Sequence, residues 1–108
     1  MDLLIKTTSL GTEHRVVLGG DIDAFTAPKV KETLMSLVTK PDINHITVDL
    51  EAVEYMDSTG IGIFIGIMKE CIQRNRTFEV HKLSPRVERL FRITGLYDHI
   101  AIRKGESE

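Results

Sequence analysis

Tyr55-Met56-Asp57-Ser58-Thr59-Gly60-Ile61-Gly62-Ile63-Phe64-Ile65-Gly66-Ile67-Met68-Lys69-Glu70-Cys71-Ile72-Gln73-Arg74 is the stretch on which the fold turns. Its middle supports two readings. Ile61, Ile63, Ile65 and Ile67 alternate with Gly62, Phe64 and Gly66, the period-two pattern of a β-branched strand. Ile61, Phe64, Ile65, Met68 and Ile72 also share one face of a 3.6-residue helix, with Lys69, Glu70, Gln73 and Arg74 as its polar side. The helix is preferred, and Asp57 or Ser58 stands where its N-terminus needs a side-chain acceptor. Ile63 and Ile67 fall off this stripe and are candidates for docking. Gly60, Gly62 and Gly66 each cost a helix about 1 kcal/mol relative to alanine, so they point to a closely approaching backbone, in the same domain or in a partner.

Working outward, Ile46, Val48 and Leu50 alternate with Thr47 and Asp49, which predicts a strand from about Ile43 to Leu50. Beyond the central helix, Phe78 and Val80 mark a short strand. Ser84-Pro85 then opens a helix carrying Val87, Leu90, Phe91 and Ile93, Gly95 ends it, and Ile100 and Ile102 suggest a last strand. Toward the N-terminus, Leu3, Ile5 and Thr7 alternate with Leu4, Lys6 and Thr8. The turn residues Leu10-Gly11-Thr12-Glu13 join this run to a second one, from His14 to Leu18, as a hairpin. Thr26 is the expected cap of a helix with Pro28 in its first turn and Val30, Leu34, Leu37 and Val38 on its apolar face, stopped at Lys40-Pro41. A hairpin followed by alternating helices and strands is an α/β pattern: one mixed sheet with an N-terminal hairpin and helices packed on it, since parallel neighbours need crossovers.

A chain of 108 residues is the size of one domain. Its 14 Lys and Arg against 16 Asp and Glu give a formal charge of −2, with the cations scattered, which argues against direct nucleic-acid binding. Arg86, Arg89 and Arg92 form the densest basic stretch and read as the solvated side of a helix. The single cysteine, Cys71, lies in an apolar run and suits a reducing compartment. No apolar run reaches the roughly 18–20 residues that span a bilayer, and Met1 to Lys6 lacks the features of a signal peptide. The expectation is a cytoplasmic protein without a membrane association.

The chemistry concentrates at Met56-Asp57-Ser58-Thr59-Gly60, where hydroxyls meet a strand-to-helix turn whose backbone donors are unpaired. Such a place suits an anion, and a phosphate on Ser58 would add about −1.5 to −2 charges there. Three plain readings compete: Ser58 as a helix cap, Thr59 as a first-turn residue or second acceptor, and Asp57 as a cap, a phospho-acceptor or an orienter of the serine hydroxyl. Asp21 and Asp23 flank the turn before the first helix, as turn residues or as a rim beside Ser58. The glycine spacing G-x-G-x-x-x-G is not a dinucleotide fingerprint, Ser58 lacks the G-x-S-x-G setting of a hydrolase, and His14, His45, His81 and His99 show no metal-ligand spacing. The histidines read as surface or hydrogen-bonded residues. No cofactor and no enzymatic activity are expected.

Three segments together resemble the anti-sigma factor antagonists of the STAS domain class, in particular the general-stress-response type. They are Gly20-Asp21-Ile22-Asp23-Ala24-Phe25-Thr26-Ala27-Pro28, Tyr55-Met56-Asp57-Ser58-Thr59-Gly60-Ile61-Gly62, and Arg89-Leu90-Phe91-Arg92-Ile93-Thr94-Gly95-Leu96. Ile61 and Ile63 stand where other aliphatics often occur. The resemblance implies a STAS-like domain over residues 1–104, with a disordered tail at 105–108. It implies that the unmodified protein captures an anti-sigma factor that is also a serine kinase, that phosphorylation of Ser58 prevents capture, and that a serine phosphatase restores it. Asp23, Thr26, Asp57, Ser58, Thr59 and Gly60 are the implied partner-binding residues, with Ser58 as the phosphosite. The alternative is a non-switching STAS scaffold or a small-ligand-binding module.

Overall fold

The computed structural model describes residues 2–103, with side chains through residue 100, so the tail at 105–108 lies outside the described residues. Its elements run β1 (Leu3–Leu10), β2 (Glu13–Ile22), α1 (Ala27–Val38), β3 (His45–Met56), α2 (Ser58–Gln73), β4 (Thr77–His81), α3 (Pro85–Ile93), a 3-10 turn at Leu96–Asp98 and β5 (Ala101–Arg103). The strands form one five-stranded sheet in sequential order. β1 and β2 are the antiparallel hairpin, and β2, β3, β4 and β5 are parallel neighbours linked by helices. This is the mixed sheet expected from the alternation of patterns.

One face of the sheet is apolar because side chains alternate: Val16 and Leu18 on β2, Ile46, Val48 and Leu50 on β3, and Phe78 and Val80 on β4 are all buried. They join Val30, Leu34 and Val38 of α1, Phe64 and Ile67 of α2, and Val87 and Phe91 of α3 in a single core. Phe64 is its aromatic hub, 6.2 Å from the ring centre of Phe78 and 5.9 Å from that of Phe91. Of the histidines read as surface or satisfied, His14 departs. Its ring is buried on the core face, neither nitrogen has a hydrogen-bond partner among the described residues, and burial followed by the charge of Lys40 lowers its pKa. His81 bonds Glu79 at 3.0 Å, and His45 stands 3.8 Å from the same carboxylate.

β2 and β3 run further than their patterns suggest. β2 passes through Gly19 and Gly20 to Ile22, and β3 continues past Leu50 to Met56. Two register shifts, between Val17 and Gly19 and between Gly20 and Asp21, break the alternation that would have revealed them. Gly20, on the strand opposite the extra residue Glu54, borders the second. Its φ is +86°, and a Cβ there would lie 2.0 Å from the Asp2 carbonyl oxygen, which accepts from the Asp21 N–H at 3.0 Å. The extension pairs Ile22 with Met56, so both strands end side by side. Whatever follows each strand is thereby brought together.

Helix α2 confirms the helical reading of the ambiguous stretch but is turned from the expected stripe. Ile61, Phe64, Ile67 and Cys71 are buried, Ile65 and Met68 are half-buried, and Ile72 is 66 % exposed. Of the two docking candidates, Ile67 belongs to the core and Ile63 is half-buried. The helix is apolar on most sides, so amphipathicity alone leaves its rotation open, and packing against both the sheet and α1 fixes it. Gly62 and Gly66 face away from that packing, and a Cβ at either would meet nothing within 4 Å. Gly66→Ala is therefore expected to raise stability by about 0.5–1 kcal/mol, through helix propensity alone. Urea denaturation checks this, and a loss of stability would mean that the position is occupied.

Candidate functional site

The paired ends of β2 and β3 deliver two segments to one edge of the sheet: the Asp23–Thr26 turn leading into α1, and the mouth of α2. The Asp57 N–H donates to the Ile22 carbonyl oxygen at 3.3 Å, tying the segments together. Gly60 sets how closely α2 can start. A Cβ there would come within 2.7 Å of Met56 Cγ and 3.0 Å of Ile22 Cγ2. Of the helix glycines, Gly60 thus accommodates its own domain, whereas Gly62 and Gly66 line an open surface.

Asp57 takes the capping role. Its backbone is extended, with φ −115° and ψ −170°, and its Oδ1 accepts from the Thr59 N–H at 2.9 Å. That geometry contributes about 0.5–2 kcal/mol to a helix. Ser58 becomes the first residue of α2, and the capping reading considered for it does not hold. Its side chain is exposed, and among the described residues its hydroxyl has no hydrogen-bond partner. Thr59 is exposed beside it, Asp57 is half-buried and Gly60 is buried. A free hydroxyl therefore stands at the positive end of a 16-residue helix.

The opposing turn is internally bonded. Asp23 Oδ1 accepts from the Phe25 N–H at 2.9 Å and from the Thr26 N–H at 3.2 Å. Thr26 Oγ1 accepts from the Asp23 N–H at 2.9 Å and donates to the Asp21 carbonyl oxygen at 2.8 Å. Thr26 holds the cap position of α1 but makes no side-chain bond into the helix, a correction to its expected role. Its hydroxyl closes the turn instead. This network holds Phe25 out into solvent, 91 % exposed. Sequence reasoning passed over Phe25, although an aromatic inside a polar turn, with no periodic apolar partner, is itself a signal.

Below the two segments, a groove of about 680 Å³ separates α1 from α2, bounded by Ala24, Ala27, Met35, Thr59, Ile63 and Gly66 among others. Half-buried Ile63 forms part of its wall, in keeping with its position off the core stripe. Elsewhere the candidate groups are already engaged or muted. Burial pushes the Cys71 thiol up to about 11, so it stays protonated at neutral pH. Arg92 is held by Glu88 at 2.8 Å and lies 3.9 Å over the Tyr97 ring, which takes it out of the basic stretch near the C-terminus. Among the described residues no cluster of histidine, cysteine and carboxylate side chains has the arrangement of a metal site, and no helix is long and apolar enough to cross a membrane.

Known proteins share this fold and, at the family level, this sequence. A family model described as STAS domain matches residues 11–108. The anti-sigma-B factor antagonist of Listeria monocytogenes is 44 % identical over 109 residues, covering 100 % of this chain and 95 % of the relative. The crystal structure of an anti-sigma factor antagonist from Mycobacterium paratuberculosis superposes with a TM-score of 0.87 at 22 % identity, over 98 % of this chain and 89 % of the other. The phosphorylated form of the Bacillus cell fate determinant SpoIIAA superposes with a TM-score of 0.76 at 17 % identity, over 96 % of this chain and 91 % of the other. The two structures share the fold; the Listeria relative is similar in sequence over 95 % of its length.

Proposed function

From the premise that this chain belongs to the STAS domain family, we propose that it is an anti-sigma factor antagonist switched by phosphorylation of Ser58. The unmodified form captures an anti-sigma factor that is also a serine kinase, and capture frees the sigma factor. The kinase phosphorylates Ser58 and so ejects the antagonist, and a serine phosphatase returns it to the binding form. The chain is then a substrate of both enzymes and a catalyst of neither. The name of the 44 % identical relative, an anti-sigma-B factor antagonist, favours the regulatory role, and a more distant structural relative occurs in a phosphorylated form.

The observation that carries the switch is the exposed, unbonded Ser58 hydroxyl at the mouth of α2. Because Asp57 already satisfies the Thr59 amide, esterifying Ser58 breaks no bond within the domain. The helix terminus also favours the added charge, by roughly 0.3–1 kcal/mol. The modified protein keeps its fold, and the effect is confined to the surface. Asp23, Thr26, Asp57, Ser58, Thr59 and Gly60 border that surface: Asp23 and Thr26 shape the turn, Asp57 and Gly60 set the helix mouth, and Ser58 and Thr59 face the partner.

Incubation with the cognate anti-sigma kinase and ATP, followed by mass-spectrometric mapping and a pull-down of both forms, tests the reading. The expected result is one phosphate, on Ser58, with capture of the unmodified form only. A phosphate confined to Thr59, or equal capture of both forms, would refute it.

A further inference from the structure

The polar residues assigned to the partner surface are short, and part of their bonding capacity is committed inside the domain, so they are a weak source of affinity. Asp23 Oδ1 is used by two backbone amides of its own turn, Thr26 Oγ1 by Asp23 and Asp21, and Asp57 Oδ1 by Thr59. Gly60 is buried. Ser58 and Thr59 are short, and a hydroxyl at an interface exchanges one hydrogen bond for another with small net gain. A surface that binds a protein tightly needs apolar area, and aromatic anchors usually provide it. The turn presents one, Phe25, at 91 % exposure.

Resting on the proposed capture of an anti-sigma factor, we infer that Phe25 is the anchor of that interface and inserts its ring into an apolar pocket on the anti-sigma factor. Three features point to this occupant. The Phe25 backbone is fixed by Asp23 through the 2.9 Å bond, so little freedom is lost on docking. The turn is continuous with the Ser58 site: the Asp57 amide bonds Ile22, and Ala24, next to Phe25, borders the same groove as Thr59. A partner covering Ser58 therefore meets Phe25. Finally, Phe25 is nearly clear of its own domain, whereas the other phenylalanines in the described core, Phe64, Phe78 and Phe91, are at most 7 % exposed. The labour is divided: Phe25 supplies the affinity, and a phosphate on Ser58 vetoes it.

Isothermal titration of the purified cognate anti-sigma factor with wild type, Phe25→Ala, Phe25→Leu and Ser58→Asp, together with thermal unfolding and sedimentation of each, tests this. Phe25→Ala is expected to weaken binding at least about thirtyfold. It should also make the heat-capacity change of binding less negative, since less apolar surface is buried. Its unfolding midpoint should match wild type because the ring touches little of the domain. Phe25→Leu should recover most of the affinity. If Phe25→Ala binds within about threefold of wild type while Ser58→Asp is weakened by roughly a hundredfold, the anchor is overturned and the switch stands. Loss of binding by Phe25→Ala with full binding by Ser58→Asp supports the anchor and refutes the switch. No binding by wild type refutes both, and a change in self-association with unchanged partner affinity makes Phe25 a contact between copies and overturns the inference.

Discussion

Phosphorylated at Ser58, the protein is expected to bind its anti-sigma partner more than about a thousandfold more weakly than the unmodified form. The estimate is Coulombic. A doubly charged phosphate about 6 Å from one partner carboxylate is repelled by ~5 kcal/mol at an effective dielectric near 20, and each 1.4 kcal/mol is about a tenfold change in affinity. Ser58→Asp places one charge where phosphate places two, so it should lose roughly a hundredfold by the same arithmetic. Ser58→Ala should bind like wild type and stay constitutively active. No internal bond is lost with its hydroxyl, so the stability of the variant should lie within about 0.5 kcal/mol of wild type. Calorimetric titration of the three forms checks the order. Equal affinity of the phosphorylated and unmodified forms would remove the basis of the switch.

The second large effect lies in the core. Phe64→Ala is expected to cost about 3–5 kcal/mol, a large share of the ~5–15 kcal/mol that holds a domain folded. Phe64 is 1 % exposed and touches the rings of both Phe78 and Phe91, so its removal opens a cavity at the junction of α2, β4 and α3. For a chain of this size the unfolding midpoint should fall on the order of 10–25 °C. Ile72→Ala is the informative companion. Both residues fall on the stripe expected from helical spacing, but Ile72 is 66 % exposed, so its truncation should cost no more than about 0.5 kcal/mol. Comparable losses for the two variants would mean that α2 is rotated toward the stripe read from the sequence.

The contrast between Phe64 and Ile72 shows where local pattern stops. Spacing distinguished a helix from a strand over α2 because the polar residues Lys69, Glu70, Gln73 and Arg74 had to share a side. It could not fix rotation, since a helix lined with isoleucine on several sides offers more than one face to bury. Of the two residues off the expected stripe, one or both open to docking by spacing alone, Ile67 belongs to the core and Ile63 reaches the groove. The limits of β2 and β3 were hidden for a related reason. The extra residues of two bulges fall on β3, between Asp49 and Ala52 and between Val53 and Tyr55, and interrupt its period of two, so the end of β3 reads as loop while Gly19-Gly20 reads as a turn in β2.

The order of elements, the hairpin, the mixed sheet and the family are all contained in the sequence, because periodicity, caps and glycine positions act over a few residues. Only the structure decided between the local alternatives: Asp57 caps the helix and leaves the Ser58 hydroxyl unbonded, Asp23 Oδ1 and Thr26 Oγ1 are used inside their own turn, and Phe25 stands clear of the core. The pairing of Ile22 with Met56, residues far apart in the chain, sets the two turns side by side, and short-range preferences do not encode which distant segment a turn will meet.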